Sequence, residues 1–152
     1  MPKVAHAEVE IRVLRTDDFP SIMEIDTQVR GRPRPEYYER KMRTLMDGSG
    51  GIVSSLAAEV DGKVVGFLMG QVFDGEFGIP ETAALIDTVG VNPELQRSGI
   101  ARLLFEEFCT NMKAIGVTRI RTLVDWNAWD LITFFDSMGF EPLPVLNLEL
   151  EL

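Results

Sequence analysis

Cysteine, histidine and tyrosine are scarce in this chain, and positive charge falls well short of negative. The single cysteine, Cys109, excludes an intrachain disulfide framework and any cysteine-rich zinc site. It falls in a helical apolar pattern one step off the most apolar face, so a structural thiol is expected there rather than a nucleophile. The only histidine, His6, lies near the amino terminus, which leaves Ser-His and His-metal chemistry little to build on. No apolar run approaches the roughly eighteen residues of a membrane-spanning helix. No apolar signal core follows Met1 either, so a cytoplasmic location is the expectation. Lys and Arg number 15 against 24 Asp and Glu, a formal net charge of −9. Nucleic-acid binding, which needs a basic face, is disfavoured, whereas a cationic substrate is compatible.

What remains is an ordinary globular composition, 45% apolar over 152 residues, enough for one domain with a substantial core. Val9 to Leu14 alternates like a half-buried strand. Thr16-Asp17-Asp18 offers capping side chains to a helix carrying Phe19, Ile22, Met23 and Ile25. Gly31 to Pro35 breaks that helix, and a second runs from Glu36 to Leu45, ended by the glycine-rich loop from Asp47 to Gly51. Ser54–Val60 and Lys63–Phe73 read as strands joined at Asp61-Gly62, a hairpin signal. A fourth strand covers Ala83 to Val91, and a helix with Ile100, Leu103, Leu104, Phe108 and Met112 inward runs from Ser98 to Ile115. Arg119–Val124 is a further strand, Asn127 caps a helix through Met138, and Val145–Leu152 alternates as a last strand. Trp126 and Trp129 are expected as core or dimer contacts. The order is β-α-α-β-β-β-α-β-α-β, an α/β chain.

The most informative stretch lies between the fourth strand and its helix, Val89-Gly90-Val91-Asn92-Pro93-Glu94-Leu95-Gln96-Arg97-Ser98-Gly99-Ile100-Ala101. A helix's first turn leaves backbone N–H groups without partners and carries the positive end of the dipole. Gly99 and Ala101 remove side-chain bulk where an anion would approach, so the expected ligand bears a phosphate or pyrophosphate. Within the strand before it, Asp87 is the one charge in an apolar run. Under ideal alternation Leu85, Asp87, Val89 and Val91 share a face. A carboxylate so placed is a candidate base, with pairing to a basic side chain as the alternative.

The element order, with Gln96-Arg97-Ser98-Gly99-Ile100-Ala101 after the fourth strand, resembles the GNAT superfamily of N-acetyltransferases. Its motif is Gln or Arg, two residues, Gly, one residue, then Gly or Ala. A second similarity lies at Asn127 and in Phe134-Phe135-Asp136-Ser137-Met138-Gly139-Phe140. The resemblance implies a single GNAT domain over 1–152, with a mixed sheet of about six or seven strands and about four helices. It implies acetyl-CoA as donor and a primary amine of a small molecule or protein as acceptor, joined by direct attack. The pyrophosphate would lie on N–H groups between Arg97 and Ala101, bordered by Gln96, Ser98, Ile100 and Arg102. Val89 and Val91 would hold the pantetheine arm, the Val91 N–H would serve the oxyanion, and Asn127 and Phe135 would face the cofactor.

Asp87, in its apolar run four residues before that oxyanion donor, is the first choice of base, with Glu81, Glu76 and Asp74 behind it. Many relatives carry a carboxylate two residues earlier, where this chain has Leu85. Where many carry a proton-donating tyrosine this chain has Phe135, so Tyr38 becomes the candidate acid and Tyr37 a substrate contact. The acceptor site is expected between the loop 30–35, the second helix and the loop 74–81, with Arg32, Arg34, Tyr37 and Glu76 in contact. The arginines either clamp an acceptor carboxylate or neutralise nearby acids. Phe135 also leaves open a non-catalytic acyl-CoA sensor, the apolar strand faces a longer acyl donor, and the last strand a homodimer.

Overall fold

Asp61 and Gly62 both take positive φ, 50° and 76°, as a two-residue type I′ hairpin demands. In the computed structural model, which describes residues 8–47, 54–75 and 78–152, they join β2 (Leu56–Val60) to β3 (Lys63–Asp74). His6, Glu76 and residues 48–51 lie outside the described residues. β1 (Glu10–Val13) pairs antiparallel with β2, and β4 (Thr82–Val91) pairs antiparallel with β3. β5 (Ile120–Thr122) adds parallel to β4, giving among the described residues a five-stranded mixed sheet in the order β1-β2-β3-β4-β5. The sheet is thus smaller than the six or seven strands expected. Val145–Leu152 has no regular structure and is exposed throughout. Alternation marks a strand only where a neighbour accepts its backbone groups.

Among the described residues four helices accompany the strands: α1 (Phe19–Arg30), α2 (Pro35–Asp47), α3 (Ile100–Ala114) and α4 (Trp129–Ser137). A short 3₁₀ turn at Thr16–Asp18 leads into α1. The buried Asp18 carboxylate takes the Arg15 N–H at 2.7 Å and two Arg12 guanidinium hydrogens at 2.8 Å each. Leu14, Phe19, Ile22, Ile25, Tyr38, Phe67 and Met69 form the core under α1 and α2. On the other sheet face, Ile100, Leu104, Phe108 and Met112 of α3 are fully buried. Two glycines of β3 let α3 come close. A Cβ at Gly70 would lie 2.5 Å from the Phe108 ring, and one at Gly66 would lie 3.1 Å from Ile100.

The pairing of β3 with β4 slips by one residue between Met69 and Gly70. Met69 faces Thr88 and Gly70 faces Ile86, so Asp87 has no residue opposite it. Such an insertion reverses the facing of all that follows. Val89 and Val91, opposite Leu68 and Gly66, lie on the α3 face, whereas Leu85, opposite Gln71, lies on the other. The ideal alternation that put all of them on one face with Asp87 is broken here.

Residues 1–122 and 123–152 form two compact units. In the second, Phe135 is buried, with Phe134 and Phe140 packed edge-on at 5.3 and 4.9 Å. Asn127 does not cap α4: Ala128 precedes the helix, no side chain caps it, and the Asn127 carbonyl accepts from the Trp129 N–H at 2.9 Å. Trp126 and Trp129 are not core residues, being 88% and 68% exposed.

Candidate active site

The path from β4 to α3 is fixed by local bonds. The Asn92 N–H donates to the Val65 carbonyl at 2.8 Å, and the Asn92 side chain accepts from the Glu94 N–H at 3.0 Å. The Ser98 N–H and hydroxyl both donate to the Leu95 carbonyl. Arg97 and Gly99 then take left-handed φ values of 67° and 90°, which turn the chain into α3. The first intrahelical bond runs from the Leu103 N–H to the Gly99 carbonyl at 3.0 Å. The N–H groups of Ile100, Ala101 and Arg102 consequently have no intrahelical acceptor. No acidic residue occupies this turn, so the positive end of the helix is uncompensated.

The residues expected around this turn divide by what they present. The Ile100 side chain is buried toward Gly66, leaving only its N–H available. Gln96 reaches the Val91 carbonyl at 3.5 Å. Arg102 is exposed, 3.7 Å from Glu106, too loose a surface pair to hold it in place.

A second feature lies on β4 itself. Its pairing with β5 covers Ala84 to Ile86 and ends where the Thr122 hydroxyl donates to the Ile86 carbonyl at 3.0 Å. From Thr88 to Val91, β4 pairs with β3 alone among the described residues. Backbone groups along that edge, including those of Val89 and Val91, lie next to the helix start.

Asp87 occupies the register slip between these features, its side chain 28% exposed. It is not the desolvated acid that its apolar neighbours suggest. The Tyr37 hydroxyl donates to Asp87 Oδ2 at 3.1 Å and lies 2.7 Å from the Thr88 hydroxyl. Lys41 Nζ forms an ion pair with the same carboxylate oxygen. Tyr37 and Lys41 are one helical turn apart on α2, so they meet Asp87 together. Lys41 Nζ is 5.3 Å and the Arg34 guanidinium 4.4 Å from the Tyr37 ring centre, both over its face. Burial pushes the Tyr37 hydroxyl above its ordinary pKa; the Thr88 bond opposes this, and the Asp87 charge adds to it. Tyr37 therefore stays a proton donor. The i,i+4 spacing from Tyr37 is the one sequence signal for Lys41.

Arg34 and Tyr38 serve a different cluster. Arg34 makes two hydrogen bonds to the buried Asp26 carboxylate, at 3.0 and 2.8 Å, and Arg30 adds a third at 3.2 Å. Of the two readings of the arginines, Arg30 and Arg34 follow the neutralising one. Arg32 is exposed. Tyr38 is 1% exposed in the core, its hydroxyl 3.4 Å from Arg34, far from solvent for an acid that must meet a leaving group. Burial alone would raise the Asp26 pKa. Hydrogen bonds from Arg34 and Tyr38, with the Arg34 and Arg30 charges, reverse this and hold it below the ordinary value.

A carboxyl whose pKa is lowered on folding stabilises the fold above its unfolded pKa of about 3.9, and that contribution is lost as pH falls through the folded value. We expect Asp26→Asn to lower stability by about 2 kcal/mol at neutral pH, moderated by the partial exposure of Arg34. The variant's urea midpoint should fall less steeply than the parent's below about pH 4. Parallel acid profiles for the two proteins would refute this.

A mixed sheet with one parallel pair, a fourth-strand edge open beyond Ile86 and a glycine-led helix start make an α/β fold with a ready anion site. Residues 10–140 match the Acetyltransferase (GNAT) family, and the chain belongs to it. A curated relative, the ribosomal protein bS18 alanine N-acetyltransferase of Salmonella typhimurium, is 25% identical over 130 residues, 86% of this chain and 79% of that protein. Among solved structures, a possible acetyltransferase from Clostridium difficile superposes with a TM-score of 0.78 at 20% identity, covering 95% of this chain and 97% of that one. An aminoglycoside N-acetyltransferase in complex with CoA gives 0.77 at 14% identity, covering 99% and 98%. At these identities the likeness of the solved structures is one of fold. Among the described residues no helix is long and apolar enough to cross a membrane, and no acidic, histidine or cysteine cluster could hold a metal ion.

Proposed function

We propose that this chain transfers the acetyl group of acetyl-CoA to a primary amine by direct attack, with Asp87 receiving the amine. The observation that carries this reading is that Asp87 holds an ammonium group, that of Lys41, at the head of the stretch of β4 that β5 leaves uncovered. The residues present suit CoA: three N–H groups without intrahelical acceptors lie at the start of α3, beside a left-handed glycine, with no acid in the turn. Acetyl-CoA supplies the acetyl group as a thioester, its diphosphate on the N–H groups of Arg97 to Ala101 and its arm along Val89 and Val91. The Val91 N–H serves the carbonyl oxygen as negative charge develops there.

Asp87 orients the acceptor ammonium and takes its proton, directly or through water. Tyr37, donating to Asp87 and bonded to Thr88, positions that carboxylate and takes over the acid role expected of Tyr38. Arg32, exposed before α2, borders the acceptor side in this reading. Named relatives act on a ribosomal protein's alanine or on aminoglycosides. A net charge of −9 and an ammonium-binding carboxylate favour a cationic acceptor of either kind.

The test pairs CoA calorimetry with thiol release over polyamines, aminoglycosides and peptide amino termini. Asp87→Asn should lower kcat by about a hundredfold while CoA affinity stays unchanged. Tight CoA binding without turnover of any amine would replace this reading with the acyl-CoA sensor. Full activity of the variant would remove Asp87 from the base role.

A further inference from the structure

We propose that Lys41 is an internal acetyl acceptor, so that the chain acetylates its own α2. The inference rests on the acetyl transfer proposed above and adds a modification site to it. Lys41 Nζ already occupies the position that reading gives the substrate amine: it is paired with Asp87 Oδ2, at the residue where the β3–β4 register slips. The placement is held on several sides. Tyr37, one turn before it on the same helix, donates to the same carboxylate oxygen, and the Tyr37 ring lies 5.3 Å from Nζ. Tyr37 is itself tied to β4 through the Thr88 hydroxyl. The Lys41 side chain is about a quarter exposed, so it is neither sealed in the core nor free to wander.

The chemistry balances with acetyl-CoA as the only co-reactant. Asp87 takes one proton from the Nζ ammonium and passes it to solvent. The freed lone pair forms a bond to the thioester carbonyl carbon, the C–S bond breaks, and the second proton shed by nitrogen ends on the CoA sulfur. The product is a neutral Nε-acetyl-lysine and CoA thiol. An amide carries no charge, so the ion pair with Asp87 is lost and the carboxylate is released for an external amine.

The experiment compares two acetylating reagents on the intact protein, reading each lysine by peptide mass spectrometry. Lys63, exposed beside the β2–β3 hairpin, is the reference. With acetic anhydride in the absence of CoA, Lys41 should react more slowly than Lys63, because Asp87 ties up its amine. With isotope-labelled acetyl-CoA the order should invert, Lys41 leading by at least about tenfold through proximity. The Lys41 rate should be independent of protein concentration, and Gly99→Glu should abolish the inversion. Failure of the order to invert, an inversion that survives in Gly99→Glu, or a rate proportional to protein concentration would each overturn the proposal. If added amines are acetylated while Lys41 stays unmodified, self-acetylation fails and the transferase reading stands. Absence of CoA binding removes both.

Discussion

Gly99→Glu should weaken CoA binding by two orders of magnitude or more, and turnover should fall with it. Three effects act together. Gly99 has φ of 90°, where an L side chain adds strain of about 1–2 kcal/mol. A glutamate there sets bulk against the N–H groups of Ile100 and Ala101, and its carboxylate competes for the same positive helix end as a diphosphate. Gly99→Ala separates these causes, since it brings the backbone strain without the charge. It should lose affinity far less than the glutamate variant. Calorimetry with CoA, alongside melting curves taken without it, distinguishes a blocked site from a damaged fold. Unchanged affinity in a folded Gly99→Glu protein would mean that the diphosphate binds elsewhere.

Phe108→Ala should be the most destabilising single truncation in the α3 layer. The ring is fully buried and packs over Gly70, so its removal leaves a cavity that the sheet cannot collapse to fill. A loss of about 3–5 kcal/mol follows, or a fall in Tm on the order of 10 °C. The converse change, Gly70→Ala, places a Cβ 2.5 Å from the same ring and should cost about 1–3 kcal/mol by overpacking. The two are coupled: in the double variant the new methyl enters the space the ring vacated, so the combined loss should be smaller than the sum. Additive losses would show that Phe108 and Gly70 do not share this contact in solution.

The element order was legible because each signal was local. Asp61-Gly62 dictates its own turn, the apolar stripe of α3 repeats over four turns, and Gly31 and Gly116 take the left-handed φ that ends a helix. Gln96 to Ala101 likewise identified the helix start, because the need for exposed N–H groups is written in small residues at fixed spacing. The register slip at Asp87 was not legible. An inserted residue leaves composition and apparent alternation intact, and only the partner strand shows which residue lost its opposite. Lys41 was hidden for another reason, since α2 carries Glu39, Arg40, Lys41 and Arg43 and periodicity does not say which cation meets β4. Arg34 and Tyr38 find Asp26 eight and twelve residues away across a helix break, a pairing that spacing alone does not specify. The final leucine run misled because alternation records a capacity for pairing, not a neighbour to pair with.

That run bears on how the protein behaves in concentrated solution. Leu146, Leu148, Leu150 and Leu152 are almost wholly exposed, an alternating apolar run suited to stacking between molecules. Glu149 and Glu151 interleave with them, and aligned copies would bring those like charges into register. Pro142 and Pro144, just upstream, deny any growing ladder two backbone donors. The same alternation that offers a strand to a neighbour thus also sets a carboxylate between each of its last three leucines.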